Sequence, residues 1–211
     1  MAGHLPRLDN AAARCPAPPP VPQASGAGGC GPGWGRAGTA RSPTLCDPGW
    51  VARTWADDWD ERRAGRDCAK CAEGRPDEDQ WGIRFFRGSW ADAYLQREPP
   101  QPGTAVVVFR GRHVADPCDF TDEELTGYWA DVRTTAKAID GVYGPCQLNY
   151  MTFGNAVPHV HTHIVPRYPD DPAPGRPLPD EVFRNAPALA DGDLADQVDR
   201  LRRHILWAAA I

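Results

Sequence analysis

The sequence predicts an α+β domain: a five-stranded antiparallel sheet with one long helix packed on it, plus N- and C-terminal helical extensions. Three observations carry this reading. Strand-like segments rich in β-branched or aromatic residues follow one another between residues 81 and 110, a capped amphipathic helix starts at Thr121, and two more strand-like segments lie between 147 and 165. A chain of 211 residues suits one such domain with extensions.

Residues 1–46 are dominated by Pro, Gly and Ala, as in Pro16-Ala17-Pro18-Pro19-Pro20. Such a segment cannot bury enough apolar surface to offset its ordering entropy, so disorder is expected there. Asp47-Pro48 places a capping residue before a proline at the first helical position, and Val51, Trp55 and Trp59 recur at spacing four. A short amphipathic helix is therefore expected within 47–66.

The main domain is expected over 67–170. Trp81–Arg87, Trp90–Leu95 and Thr104–Arg110 read as strands, separated by Gly88-Ser89 and by the proline-rich stretch Glu98–Gly103. Thr121 and Glu124 form a capping box inside a staple of Phe120 with Leu125. Leu125, Tyr128, Trp129, Val132, Ala136 and Ile139 continue one apolar face, and Gly141 and Gly144-Pro145 close the helix. Gln147–Phe153 and His159–Val165 supply the last two strands, joined by a loop at Gly154-Asn155. In 171–211 a Pro-rich connector leads to a helix marked by Leu194, Val198, Leu201 and Ile205, with His204 on its solvated side.

A formal charge of −5, from 23 basic and 28 acidic residues, argues against general nucleic-acid affinity. No stretch approaches the roughly 20 apolar residues that span a bilayer, and the N-terminus lacks the apolar core of a secretory signal. A soluble, cytoplasmic protein with neither a nucleic-acid nor a membrane partner is expected. Seven cysteines, an odd number scattered along the chain, do not form a disulfide framework.

The chemistry is concentrated where His159, His161 and His163 alternate with Val160, Thr162 and Ile164. A strand rises about 3.3 Å per residue and turns alternate side chains to one face, so three imidazoles would stand about 7 Å apart on a single surface. A helix would not put them on one face, and Pro166 would stop it. Imidazole can be nucleophile, acid or metal ligand near neutral pH, which leaves three readings. His161 could attack phosphorus, all three rings could bind a catalytic zinc, or the strand could bind a nucleotide without turnover. The loop Gly154–Pro158 offers backbone donors suited to a phosphate, and Asn155 adds a side-chain donor. No carboxylate that could act as the base of a zinc hydrolase lies between Asp140 and Asp170, which favours phosphoryl chemistry.

The run Gly154-Asn155-Ala156-Val157-Pro158-His159-Val160-His161-Thr162-His163-Ile164-Val165-Pro166-Arg167 resembles the signature of the histidine triad (HIT) family of nucleotide hydrolases and transferases. Ala93–Thr104 resembles the family's first hairpin, and Arg112-His113-Val114 the segment closing its next strand, so the resemblance covers about residues 65 to 170. It implies a HIT-like domain that acts on the α-phosphate of a (di)nucleoside polyphosphate or nucleoside phosphoramidate through a covalent nucleotidyl-histidine intermediate. His161 would be the nucleophile, His163 a phosphate contact, and Asn155 a donor beside the phosphate and leaving group. Asn149 and Gln96 would help bind the nucleotide, Gln96 standing where relatives have Asn or Asp for the ribose. Thr104 replaces a frequent histidine, and Thr162 is a polar guest at a usually apolar position. The resemblance also implies a homodimer with a purine nucleotide in each cleft.

Cys68 and Cys71 have the two-residue gap of a zinc knuckle, a spacing shared by redox pairs and by simple free thiols. In some HIT proteins such a pair joins a histidine at the position of His113 and the first histidine of the triad. That resemblance implies a closed, structural zinc site of Cys68, Cys71, His113 and His159, leaving His161 free of metal.

Overall fold

The computed structural model describes residues 55–209. The expectations for residues 1–46 and for the start of the 47–66 helix lie outside the described residues. Within the described part of that helix, the helical stretch is Trp59–Arg63 (α1). Asp58, at its N-cap, gives its carboxylate to Arg62 Nε at 2.8 Å instead of to the helix backbone. Gly65 (φ +94°) and Asp67 (φ +52°) then leave helical conformation. A single turn of helix, Ala69–Ala72 (α2), carries the cysteine pair.

The sheet is built from Gly82–Arg87 (β1), Ala91–Gln96 (β2), Ala105–Phe109 (β3), Gln147–Met151 (β4) and His161–Arg167 (β5), in the order β1-β2-β3-β5-β4. All four pairings are antiparallel, as predicted. The last strand starts at His161, two residues later than the sequence pattern suggests, because the chain bends before it: His159 N donates to Val157 O at 2.8 Å. β4 ends at Met151, so Thr152 and Phe153 belong to the following loop.

Period-two alternation gives the sheet two unlike faces. One face is apolar: Ala93, Leu95, Val107, Phe109 and Ile164 meet Tyr128, Val132 and Ile139 from the long helix Asp122–Tyr143 (α3). The register sets Asp92, Tyr94 and Gln96 of β2, Val106 and Val108 of β3, and His161 and His163 of β5 on the opposite face.

The capping box of α3 forms as expected, with Thr121 accepting from Glu124 N and the Glu124 carboxylate accepting from Thr121 N. Tyr128, Val132, Ala136 and Ile139 are buried, whereas Leu125 and Trp129 are 40% and 41% exposed and flank the packed stripe. Gly144, in the left-handed region (φ +60°), caps the helix. Gly141 does not close it. It is a notch inside α3, where a Cβ would overlap the ring of His204. His204 is accordingly half-buried between helices rather than solvated, which corrects the sequence reading.

Beyond the sheet, Asp180–Arg184 (α4) leads to Asp191–Ala209 (α5), whose buried Leu194, Val198 and Leu201 pack on β1 and α3. No helix among the described residues is long and apolar enough to cross a membrane.

Glu124 offers a pH test of the α3 cap. Arg112 donates to it twice, at 2.8 and 2.7 Å, and Thr121 N donates at 2.8 Å. The Arg112 guanidinium first, then the cap, holds its carboxyl at about 2 instead of 4.5. Its stabilisation is present above 4.5 and is lost as pH falls toward 2. In urea titrations, Glu124→Gln is expected to lower the midpoint by a constant amount at neutral and mildly acidic pH. The deficit shrinks on approach to pH 2.

Candidate functional site

The bend ahead of β5 divides the three histidines. The His159 ring is buried and turned away from the strand, 5.5 Å from the ring of His113, whereas the rings of His161 and His163 stand edge to face at 5.3 Å. The even row expected from period two thus becomes one ring facing the cysteines and two facing the open side of the sheet.

Around His159, ligand atoms of Cys68, Cys71, His113 and His159 lie within 4.8 Å of one another and form a site able to hold a metal ion. His159 Nδ1 is 3.5 Å from both sulfurs, and His113 Nδ1 is 3.6 Å from Cys71 Sγ. A tetrahedral zinc with Zn–S of about 2.3 Å and Zn–N of about 2.0–2.1 Å requires N···S edges of about 3.6 Å. The donor set and its spacing therefore fit. Both imidazoles are also set in the matching tautomer: Nε2–H of His159 donates to Phe109 O at 2.9 Å, and that of His113 to Arg63 O at 3.0 Å. Each leaves an Nδ1 lone pair aimed at the thiols.

Local chain geometry makes this possible. The α2 turn brings the two cysteines together, and Gly65 lets the chain after α1 pass over His113, where a Cβ would come within 2.9 Å of the ring. Burial, with Cys68 beside it, pushes the Cys71 thiol up to about 11. Burial likewise lowers His159 to about 4, so the ring is neutral at pH 7. A divalent cation would bind this neutral imidazole and draw the protons from the thiols.

His161 opens β5, two residues after His159. Its Nδ1–H donates to the carbonyl of His159 at 2.6 Å, which leaves Nε2 unprotonated and free. Burial lowers the pKa values of both His161 and His163, the latter to about 4. Gln96 Nε2 lies 3.3 Å from His163 Nδ1. An amide nitrogen only donates, so this contact puts the His163 proton on Nε2. Two neutral rings result, one presenting a lone pair and one an N–H, an arrangement suited to attack on an electrophile whose oxygens need donors.

The remaining expected residues fall around this pair. Asn155 is exposed on the loop between β4 and β5, after Gly154 at φ +69°. Asn149 is on the histidine face by register, paired with Val165, but its Oδ1 is committed to Arg167 at 2.7 Å. All five N–H groups of that buried arginine are used, on Asp171, Asn149 and the carbonyls of Ala173 and Arg176. The Asn149 amide nitrogen makes no hydrogen bond to the described residues. It borders a cavity of about 680 Å³ beside β4, lined also by Met151, Val165, Tyr168 and Phe183.

Sequence reasoning missed an ionic cluster on the same face. Asp92, fully buried in β2, accepts from Arg75 at 2.8 and 2.5 Å and from Arg110 at 3.0 Å, with Arg84 at 3.8 Å. Arg110 further donates to Lys70 O, inside the cysteine turn, and to the Tyr94 hydroxyl, each at 2.9 Å. Tyr94 OH donates to Pro76 O. The cluster straps the segment carrying Cys68 and Cys71 onto the sheet. A charged residue in mid-strand between Ala91 and Ala93 was the available signal, because a buried carboxylate requires partners.

Residues 89–170 match the HIT domain family. The chain is 31% identical over 111 residues to the asymmetrical bis(5'-nucleosyl)-tetraphosphatase of Schizosaccharomyces pombe, covering 50% of this chain and 60% of that protein. It is 28% identical over 89 residues to a bis(5'-adenosyl)-triphosphatase of Saccharomyces cerevisiae, covering 40% and 43%. The matches thus span less than two thirds of either relative. A histidine triad protein from Bradyrhizobium japonicum shares the fold with a TM-score of 0.53 at 20% identity, over 59% of this chain and 90% of that one. Another from Sinorhizobium meliloti also gives 0.53, at 17% identity, over 58% and 89%.

The Asp92 cluster makes a stability prediction. Asp92→Ala leaves three guanidiniums around a vacated buried position and is expected to cost about 3–5 kcal/mol. Equilibrium urea unfolding of wild type and variant measures the difference.

Proposed function

We propose that the chain, whose residues 89–170 match the HIT domain family, acts as a member of that family and hydrolyses or transfers nucleotides at the α-phosphate of a (di)nucleoside polyphosphate or nucleoside phosphoramidate, with a purine nucleoside on the retained side. The observation that carries the reading is the tautomer of His161. Its Nδ1–H is held by His159 O at 2.6 Å, so Nε2 is the nucleophile. Nε2 forms a bond to the α-phosphorus, the bond from phosphorus to the leaving group breaks, and its electron pair departs with that group. The His161 ring, cationic once substituted, keeps the hydrogen bond to the His159 carbonyl. His163, oriented by Gln96, donates Nε2–H to a phosphoryl oxygen. Asn155 and Asn149 supply further amide donors, Asn155 beside the leaving group. Water or another acceptor then attacks phosphorus and releases His161.

The four-residue cluster is read as a structural zinc site. Two thiolates and two imidazoles fill a tetrahedral coordination sphere, so bound zinc would cross-link α2, the segment around His113 and the chain ahead of β5, and would hold no reacting water. Homodimerisation accompanies this reading, supported by the edge position of β4, where Tyr150 is 47% exposed, with Phe153 just beyond it 64% exposed.

Two experiments test these assignments. Intact mass spectrometry of an acid-sensitive quenched reaction with diadenosine triphosphate, held at neutral or alkaline pH, is expected to show a nucleotidyl adduct. The adduct is absent in His161→Asn, which still binds AMP. A nucleotide binder without turnover gives no adduct in either protein. Metal analysis separates the structural zinc from a catalytic one: His161→Asn retains one zinc per chain, whereas Cys71→Ser loses it and unfolds at lower temperature. Loss of zinc from His161→Asn would contradict the assignment.

A further inference from the structure

Thr162 stands between His161 and His163 on β5 and turns its side chain to the apolar face, where it is completely buried under α3. A valine would fill the same space and suit the surrounding side chains. The hydroxyl instead enters a chain of hydrogen bonds: Tyr128 OH from α3 donates to Thr162 Oγ1 at 2.8 Å, and Thr162 Oγ1 lies 2.7 Å from Thr152 Oγ1. Tyr128 OH is also 3.2 Å from the carbonyl of Val107, the β3 residue paired with Thr162. Among the described residues, no buried side-chain nitrogen or oxygen lacks a partner, so each hydroxyl of this polar thread through the core has at least one.

The thread ends at the loop that faces the reaction. Thr152 is the first residue after β4, and Gly154 and Asn155 follow it. The far end of the same loop is fixed by Val160 N donating to Val114 O at 2.8 Å. Phe153, Asn155 and Ala156, in between, are exposed, so the Thr152 hydroxyl is the buried-side fastening of the loop's near end.

We infer that Tyr128, Thr162 and Thr152 are positioning residues: their hydroxyl chain holds the Gly154–Asn155 loop in register with His161. The inference rests on the reading of His161 as nucleophile. Thr162 is the shared point, since its backbone lies next to the nucleophile and its side chain anchors the loop. In-line displacement demands close alignment of attacking atom, phosphorus and leaving-group donors, and a misplacement of about 1 Å can cost about 10²-fold in rate. A loop loosened at one end therefore lowers turnover while nucleoside contacts elsewhere persist.

The test uses the full-length, metal-loaded protein with diadenosine triphosphate as substrate, and follows amide hydrogen exchange over residues 152–158 without substrate. Thr162→Val is expected to lower kcat about tenfold with KM nearly unchanged, and to speed exchange in that loop while β2 and β3 stay protected. Thr162→Ser restores both. Thr152→Val, a half-buried position outside the core, reproduces both effects even where Thr162→Val compromises folding. Unchanged loop exchange, exchange rising evenly across the whole sheet, or an unchanged kcat in an active wild type would overturn the inference. A wild type that turns over no substrate instead sinks the proposed activity, and loop exchange still decides whether the hydroxyl chain holds the loop.

Discussion

The arrangement of the site depends on His159, which makes three kinds of contact in three directions. Its Nε2–H is held by Phe109 O on β3, its Nδ1 faces two cysteine sulfurs at 3.5 Å, and its carbonyl accepts from His161 Nδ1 at 2.6 Å. A residue so constrained cannot rotate its peptide without disturbing either neighbour. The Cys/His cluster and the proposed nucleophile are therefore mechanically joined through one peptide unit. The zinc of the proposed reading would have its effect on chemistry through this carbonyl, by fixing which nitrogen of His161 carries the proton.

The two faces of the sheet divide the labour that this junction requires. The apolar face supplies the rigid platform, α3 packing along it and Thr162 fastened to Tyr128. The other face carries buried charge beside its valines. Asp92 and its arginines replace an apolar contact as the means of holding the cysteine turn to the sheet. Charged groups at such depth favour one geometry over near alternatives only when they are well partnered, and here each of the three nitrogens of Arg110 has an acceptor, in Asp92, Lys70 O and Tyr94 OH.

Local pattern was legible and long-range pairing was not. Thr121 with Glu124 lie three residues apart, and the Cys68/Cys71 gap and the alternation of histidines are equally local, so the capped helix, the cysteine pair and the histidine strand could be read directly. The even spacing of the three rings could not be trusted, because His159 is drawn off by cysteines 91 and 88 positions away. Gly141 read as a stop because glycine disfavours helix, but His204 of a distant helix needed the space. Gln96 stands by resemblance at a nucleotide-binding position with its ribose role left open, and the structure adds a contact with His163 that only the β2-β3-β5 order brings about. Asp92 was visible as an oddity, but its arginine partners come from three separate segments.

The account turns on the protonation of two rings, and long-range ¹H–¹⁵N correlation NMR of the zinc-loaded protein reads them directly. It predicts His159 with its proton on Nε2 and Nδ1 bound to metal, and His161 with its proton on Nδ1 and a free Nε2. A His161 protonated on Nε2, or a His159 that keeps a proton on Nδ1 when zinc is bound, would contradict it.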